Sequence, residues 1–284
     1  TGVSGRLDME RMPVTGLSNT NSTSNIVTDS AAGGTALSTG FRTNNYMIAR
    51  DPDGKNLKTL AEAAREAGMS AGLAVTCGVT HATPASFSAH VENRKMEDVI
   101  AEQMLNNRID VILGGGKEYF IPSTETGSKR KDEKNILNTA RDLGYNIIET
   151  REDLIKAEKL PLLGIFSISA LKTEAPEPTL AEMTDRAITL LSKNEKGFFL
   201  MVEGSQIDWA AHSNKADQAI RQTLLFDQAV KTALDFAAKD GKTLVLVTAD
   251  HETGGMAIEE EKKELSFDWT SRDHTGTPVP VFAC

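Results

Sequence analysis

Three of the five histidines in this 284-residue chain stand close to carboxylates, in settings where the pair could hold a metal ion. Asp208 and His212 are four residues apart in Gln206-Ile207-Asp208-Trp209-Ala210-Ala211-His212, so a helix would stack them on one face. One carboxylate and one imidazole so placed can ligate a divalent transition metal, although alone such a pair is more often an ordinary helix-surface contact. Asp250-His251 follows the apolar run Thr243–Thr248, with Gly254-Gly255 just beyond, and forms a second candidate pair or a capped turn with an exposed histidine. His274 lies in the turn-like Asp273-His274-Thr275-Gly276-Thr277. The joint pattern is more specific than any one part of it. Near the start, Val27-Thr28-Asp29-Ser30 runs into Ala31-Ala32-Gly33-Gly34-Thr35. Small residues there let a helix begin with open amides, which favour phosphate, and a serine at that point is a nucleophile if a metal lowers its pKa. The same letters also fit an ordinary Asp or Ser cap.

These residues need a frame that places them at the ends of strands. Apolar, β-branched runs at Ala71–Val75, Val111–Leu113, Asn146–Ile148, Gly164–Ile168, Phe198–Val202 and Thr243–Thr248 suit strands covered on both faces. Helical patterns fall between them at Leu57–Ala67, Lys95–Asn106, Glu133–Leu143, Leu180–Ser192 and about Lys215–Lys239, the last closed by Gly241. Pro122–Asn135 and Lys172–Pro178 read as surface loops, and Glu259–Glu264 as a solvated charge run. The alternation predicts an α/β fold, a three-layer α/β/α sandwich around a central, mostly parallel sheet. In such sheets ligands sit beyond the carboxyl ends of the strands, where the candidate residues fall.

Composition narrows the partners. With 31 Lys+Arg against 40 Asp+Glu the chain carries a net charge of −9, which argues against an electrostatic nucleic-acid binder. No apolar run approaches the roughly 18 residues that span a bilayer. Two cysteines, Cys77 and the terminal Cys284, leave disulfides little part in stability. Gly114-Gly115-Gly116 lacks the Lys-Ser/Thr ending of a P-loop and reads as a tight turn after a strand. His90 reads as structural.

The segment Val27–Thr35 resembles the nucleophile signature of the alkaline phosphatases. Met201-Val202-Glu203-Gly204 with Asp208 and His212, Thr248-Ala249-Asp250-His251 and His274-Thr275-Gly276 follow in that family's order, so the resemblance covers nearly the whole chain. It implies that Ser30 becomes phosphorylated, that Asp208, His212 and His274 bind one zinc, and that Asp250 and His251 bind a second. It further implies a third site, usually magnesium, at Glu203 and at Thr83 of Thr80-His81-Ala82-Thr83-Pro84-Ala85, and a phosphate clamp at Arg94. A planar guanidinium suits that bidentate task. Asp29, His81 and Trp209 fall near the third metal or the phosphate. His81 stands where some members carry aspartate and Trp209 where some carry lysine; a neutral imidazole weakens a hard magnesium site and tolerates a softer metal.

The resemblance implies hydrolysis of small phosphate monoesters at alkaline pH through a phosphoserine, a homodimer, and a periplasmic or secreted location. Ser30-Ala31-Ala32-Gly33 lacks the Pro and Arg pattern of a sulfatase. The family's first strand ends in an aspartate within a Gly-Asp-Gly-Met-Gly-like segment, and nothing before Ser30 matches it. Residues 1–284 are therefore expected to form a single, partial catalytic domain lacking that strand and the C-terminal strands. The chain begins at Thr1 with no visible leader and closes on Pro278–Cys284, which reads as a strand beginning. The alternatives are a metal-deficient, inactive fragment and a related phosphodiesterase.

Overall fold

The computed structural model describes residues 5–261 and 264–284. In chain order, β1 (Val14–Ser18), α1 (Ser30–Thr39) and α2 (Leu60–Glu66) precede β2 (Ser70–Gly78), α3 (Ala82–Ser88) and α4 (Glu97–Asn106). Next come β3 (Val111–Gly115), α5 (Ile136–Asp142), β4 (Asn146–Ile148), α6 (Arg151–Lys156), β5 (Leu162–Ile165) and α7 (Leu180–Leu191). The remainder holds β6 (Phe198–Glu203), α8 (Gln206–His212), α9 (Ala216–Asp240), β7 (Leu246–Val247) and β8 (Glu252–Thr253). Last are β9 (Met256–Glu261), β10 (Glu264–Trp269), β11 (His274–Thr275) and β12 (Val279–Ala283).

Five strands form the central sheet in the order β4-β5-β3-β2-β6, with every neighbouring pair parallel. Alternation along β2 explains the layers. Ala71, Leu73, Val75 and Cys77 face one core, which they share with Ala61 of α2, Ala85 and Phe87 of α3, Ile100 and Met104 of α4 and Ile136 of α5. Ala74 faces the other, with Leu154 of α6, Met183, Leu190 and Leu191 of α7 and Ala229 of α9. The fold is thus the expected three-layer α/β/α sandwich. At the sheet edge, Phe198, Phe199, Leu200 and Val202 of β6 are half-buried.

Elements differ from the sequence pattern where a cap or a neighbour decides. Helix α2 starts at Leu60 rather than Leu57 because Thr59 and Glu62 close a reciprocal capping box. Asn135 caps α5 in the same way, by accepting from the Asn138 amide, and delays it to Ile136. Strand β5 covers Leu162–Ile165, not Gly164–Ile168; beyond it the carbonyls of Ser167, Ile168 and Ser169 turn to accept from Lys117, Glu118 and Gly116. That wrap explains the glycine run, since a side chain at Gly115 would collide with the Ser169 carbonyl and Gly116 sits at φ +94°.

The run Thr243–Thr248 does not join the parallel sheet. Leu246 and Val247 instead ladder antiparallel to β12, and Val245 exchanges backbone hydrogen bonds with Cys284, in a separate sheet of order β1-β12-β7. There β12 takes up the hydrogen bonds on one side of β7. Strand β1, for which the sequence shows no signal, pairs with β12 from Val14↔Ala283 to Ser18↔Val279. The charged stretch Glu259–Glu264 belongs to the β9–β10 hairpin, in which Glu259, Glu260 and Glu264 are exposed and residues 262–263 lie outside the described residues. Pro122–Asn135 is a loop as expected, pinned by the buried Arg130, which pairs with Glu102 and Asp132.

Candidate active site

Asp29 caps α1, accepting from the Ala32 amide at 3.1 Å, so that Ser30 becomes the buried first residue of the helix. The small residues after it have a packing cause. A Cβ on Gly33 would lie 2.7 Å from the Asp250 carbonyl oxygen, so glycine lets α1 approach the Asp250-His251 segment. Ser30 Oγ stands 3.0 Å from His251 Nε2. The Asp29 carboxylate also accepts from the Tyr46 amide at 3.1 Å and pairs with Arg94 at 3.1 Å. The Arg94 amide in turn donates to the Tyr46 carbonyl, which anchors the Arg94 main chain to the same segment.

Helix α8 delivers Asp208 and His212 to one side, and β11 delivers His274 against them. One donor atom from each of these three residues lies within 4.8 Å of the other two. Asp208 Oδ1 is 3.3 Å from His212 Nε2 and 3.6 Å from His274 Nε2. The opposite nitrogens point outward, His212 Nδ1 to the Arg272 carbonyl and His274 Nδ1 to the Thr28 carbonyl at 2.8 Å. Burial opposes ionisation of Asp208, but hydrogen bonds from His274 and Thr253 and the nearby His251 and His212 rings outweigh it and hold the carboxyl at about 2. Two imidazole nitrogens and one carboxylate form a donor set that fits zinc.

His251 continues the cluster. Its ring stacks on His274 with centroids 3.4 Å apart, and its Nε2 lies 3.3 Å from Asp250 Oδ2. Ser30, Asp250 and His251 therefore converge on one point, a second fit for a cation. Burial lowers the His251 pKa, aided by the charge of His274 and opposed by Asp250 and Asp208.

Glu203 ends β6 behind this point. Burial, then the Asp250 charge, raises its carboxyl to about 7, although Ser205, Cys77 and Thr83 hydrogen-bond to it. Two half-buried carboxylates whose charges repel each other favour a cation, so Glu203 with Thr83 fits a third divalent ion. His81, the residue just before α3, meets Arg94 Nη2 at 3.5 Å and the edge of Trp209 at 5.8 Å between centroids. Burial and then Arg94 lower its pKa to about 4, so the ring is neutral.

All twelve residues singled out in the sequence thus lie in one contiguous region. Sequence reasoning missed the residues that orient them. Thr253 Oγ1 donates to Asp208 Oδ1 at 2.6 Å and lies 3.1 Å from His251 Nδ1. The Glu252 carboxylate accepts from the Gly255 amide at 2.9 Å and from the Thr275 hydroxyl, which clasps the segments of His251 and His274 together. Their place immediately after Asp250-His251 and His274 was the available signal. His90 lies outside the site, bound to the Ala49 carbonyl and the Glu62 carboxylate.

Residues 2–265 match the family model described as alkaline phosphatase. Alkaline phosphatase 4 of Bacillus subtilis is 45% identical over 242 residues, covering 82% of this chain and 50% of that protein. The alkaline phosphatase of Escherichia coli is 36% identical over 286 residues, covering 84% of this chain and 60% of that one. The solved alkaline phosphatase of the Antarctic bacterium TAB5 superposes with a TM-score of 0.90 at 35% identity, covering all of this chain and 84% of its own. A mutant of the TAB5 enzyme, at the same TM-score and 36% identity, has magnesium bound in its M3 site and is covered to the same extent. The chain spans about half the length of the first curated relatives it matches.

Proposed function

Since this chain belongs to the alkaline phosphatase family, we propose that it carries the catalytic site of a phosphate-monoester hydrolase that works through a phosphoserine at Ser30. The observation that supports this most is the placement of Ser30 Oγ, at a helix start, 3.0 Å from His251 Nε2 and beside the Asp29–Arg94 pair.

Asp208, His212 and His274 would hold one zinc, and Asp250 and His251 a second. Zinc at these positions supplies the positive charge that makes the Ser30 hydroxyl and a water nucleophilic near neutral pH and stabilises the entering and leaving oxygens. Arg94 binds two non-bridging phosphate oxygens, its fork held in place by Asp29. The amides at the start of α1 and its dipole add positive potential at the same point. Ser30 Oγ then bonds to phosphorus as the bond to the alcohol oxygen breaks, and the alcohol departs with a proton. Water attacks the phosphoserine in a second displacement, releasing inorganic phosphate and restoring the hydroxyl. Glu203 and Thr83 would hold the third divalent ion, magnesium by likeness to the TAB5 mutant. The neutral His81 ring nearby accommodates a softer metal in its place.

Small phosphate monoesters are the proposed substrates, and the net charge of −9 does not suit nucleic acid. No helix among the described residues is long and apolar enough to cross a membrane. A homodimer and a periplasmic or secreted location rest on family likeness alone. The test is release of p-nitrophenol from its phosphate ester at alkaline pH, with and without zinc, alongside Ser30→Ala. Zinc-dependent turnover that disappears in the variant is expected. Turnover surviving in Ser30→Ala would remove Ser30 from its role, and a folded but inactive wild type would favour the metal-deficient, inactive reading.

A further inference from the structure

The three histidines of the site are oriented through their outward nitrogens, but not by the same kind of partner. His212 and His274 meet carbonyls, which only accept, so each Nδ1 carries a proton and each Nε2 is the nitrogen turned toward Asp208. His251 Nδ1 instead meets a hydroxyl, Thr253 Oγ1, which is able to donate or accept. The second partner of that hydroxyl removes the ambiguity. Thr253 Oγ1 lies 2.6 Å from Asp208 Oδ1, and a carboxylate only accepts. The single hydroxyl proton therefore goes to Asp208, and the oxygen is left to accept from His251 Nδ1–H. His251 Nε2 is then the nitrogen turned into the site, toward Ser30 Oγ and the Asp250 carboxylate.

We propose that Thr253 is a positioning residue whose hydroxyl sets the His251 tautomer and ties that ring to Asp208, so that the two zinc positions are fixed relative to each other. The proposal rests on the metal reading given above. The Thr253 backbone is independently anchored, since it pairs with His274 in the β8–β11 ladder. One residue thus touches a ligand of each metal position by its side chain and a third ligand by its main chain. Orienting partners of metal-binding histidines govern affinity by about 10–100-fold.

The test compares wild type, Thr253→Val and Thr253→Ser in the full chain. Zinc affinity is read by competition with a chromophoric chelator, and the His251 tautomer by 15N imidazole NMR. Valine is isosteric and β-branched, so the ladder is retained and circular dichroism should match wild type. The expected result is Nδ1–H on His251 in the wild type and a loss of about 10–100-fold in zinc affinity in Thr253→Val. Thr253→Ser, which keeps the hydroxyl, should restore affinity to near wild type. Equal zinc affinity in wild type and Thr253→Val, including none in either, overturns the proposal. So does a wild-type His251 that carries its proton on Nε2 and none on Nδ1, a readout that stands even where the valine variant fails to fold. A wild type that binds zinc in this way yet turns over no ester would defeat the phosphatase reading alone, because neither readout depends on turnover.

Discussion

His81 and His90 flank α3 and are held in opposite charge states by their partners. Burial and the Arg94 charge keep His81 neutral, which lets its Nε2 face a guanidinium. His90 has the Ala49 carbonyl on Nδ1 and the Glu62 carboxylate on Nε2, two groups that accept at neutral pH, so only the imidazolium satisfies both. Burial opposes that charge, but the hydrogen bonds to Glu62 and the Ala49 carbonyl and the Glu62 charge together outweigh it and raise the His90 pKa above 6.5. Burial also works against Glu62, yet His90 and Thr59 lower its pKa below 4.5. The raised histidine contributes stability that is complete below 6.5 and lost as pH rises through its folded value. The lowered carboxylate contributes stability that is complete above 4.5 and lost as pH falls through its folded value. Glu62→Gln, which keeps an acceptor for the Thr59 cap, should therefore lower stability by about 1–2 kcal/mol between those two pH values. The difference should shrink toward alkaline pH; denaturant midpoints measured across pH check this, and a pH-independent difference would rule out the charge argument.

Elements place the site by close approach as much as by hydrogen bonding. Helix α1 brings Ser30 to His251 because Gly33 leaves room for the Asp250 carbonyl. Gly33→Ala should force the helix and that segment apart, at a cost of about 1–3 kcal/mol in stability. The same shift should reduce turnover of p-nitrophenyl phosphate, since Ser30 sits one turn away. Gly16→Ala in β1, where a Cβ meets nothing within 4 Å, is the control and should change neither property. Thermal midpoints and kcat measured on both variants decide the matter, and equal behaviour of the two would show that the approach is not tight. Caps act at the same scale. Thr59 with Glu62 and Thr179 with Glu182 close capping boxes at α2 and α7, while hydrophobic spacing alone places the start of α2 too early. A capping partner three residues downstream is visible in sequence, but which of several polar residues wins depends on the loop entering the helix.

At the scale of the whole molecule, the candidate metal ligands come from α8, β11 and the β7–β8 segment, with Glu203 from β6 and Thr83 from α3. Metal binding should therefore stabilise the folded chain as a whole, by about 2.7 kcal/mol when free zinc is a hundred times the dissociation constant. Chelation should lower the thermal midpoint and zinc should restore it; a midpoint indifferent to both would count against a bound ion. The parallel sandwich was legible beforehand because strands buried on both faces must be continuous apolar runs and helices must show a helical period. The candidate site residues were legible for a related reason. Asp, His and Ser carry chemistry by their identity, and residue identity is what a sequence records. Three things were settled only by tertiary structure. Thr243–Thr248 has strand composition, but its partner is chosen by which neighbour is close enough to accept its hydrogen bonds, and that neighbour is β12. Thr253 and Glu252 look like ordinary turn residues until folding brings Asp208 and Thr275 within hydrogen-bonding reach. The charge states of His81 and His90 depend on burial and on partners that chain position does not reveal. Local sequence sets which groups a segment offers, while hydrogen-bond direction, burial and charge belong to pairs of groups, and the fold alone brings those pairs together.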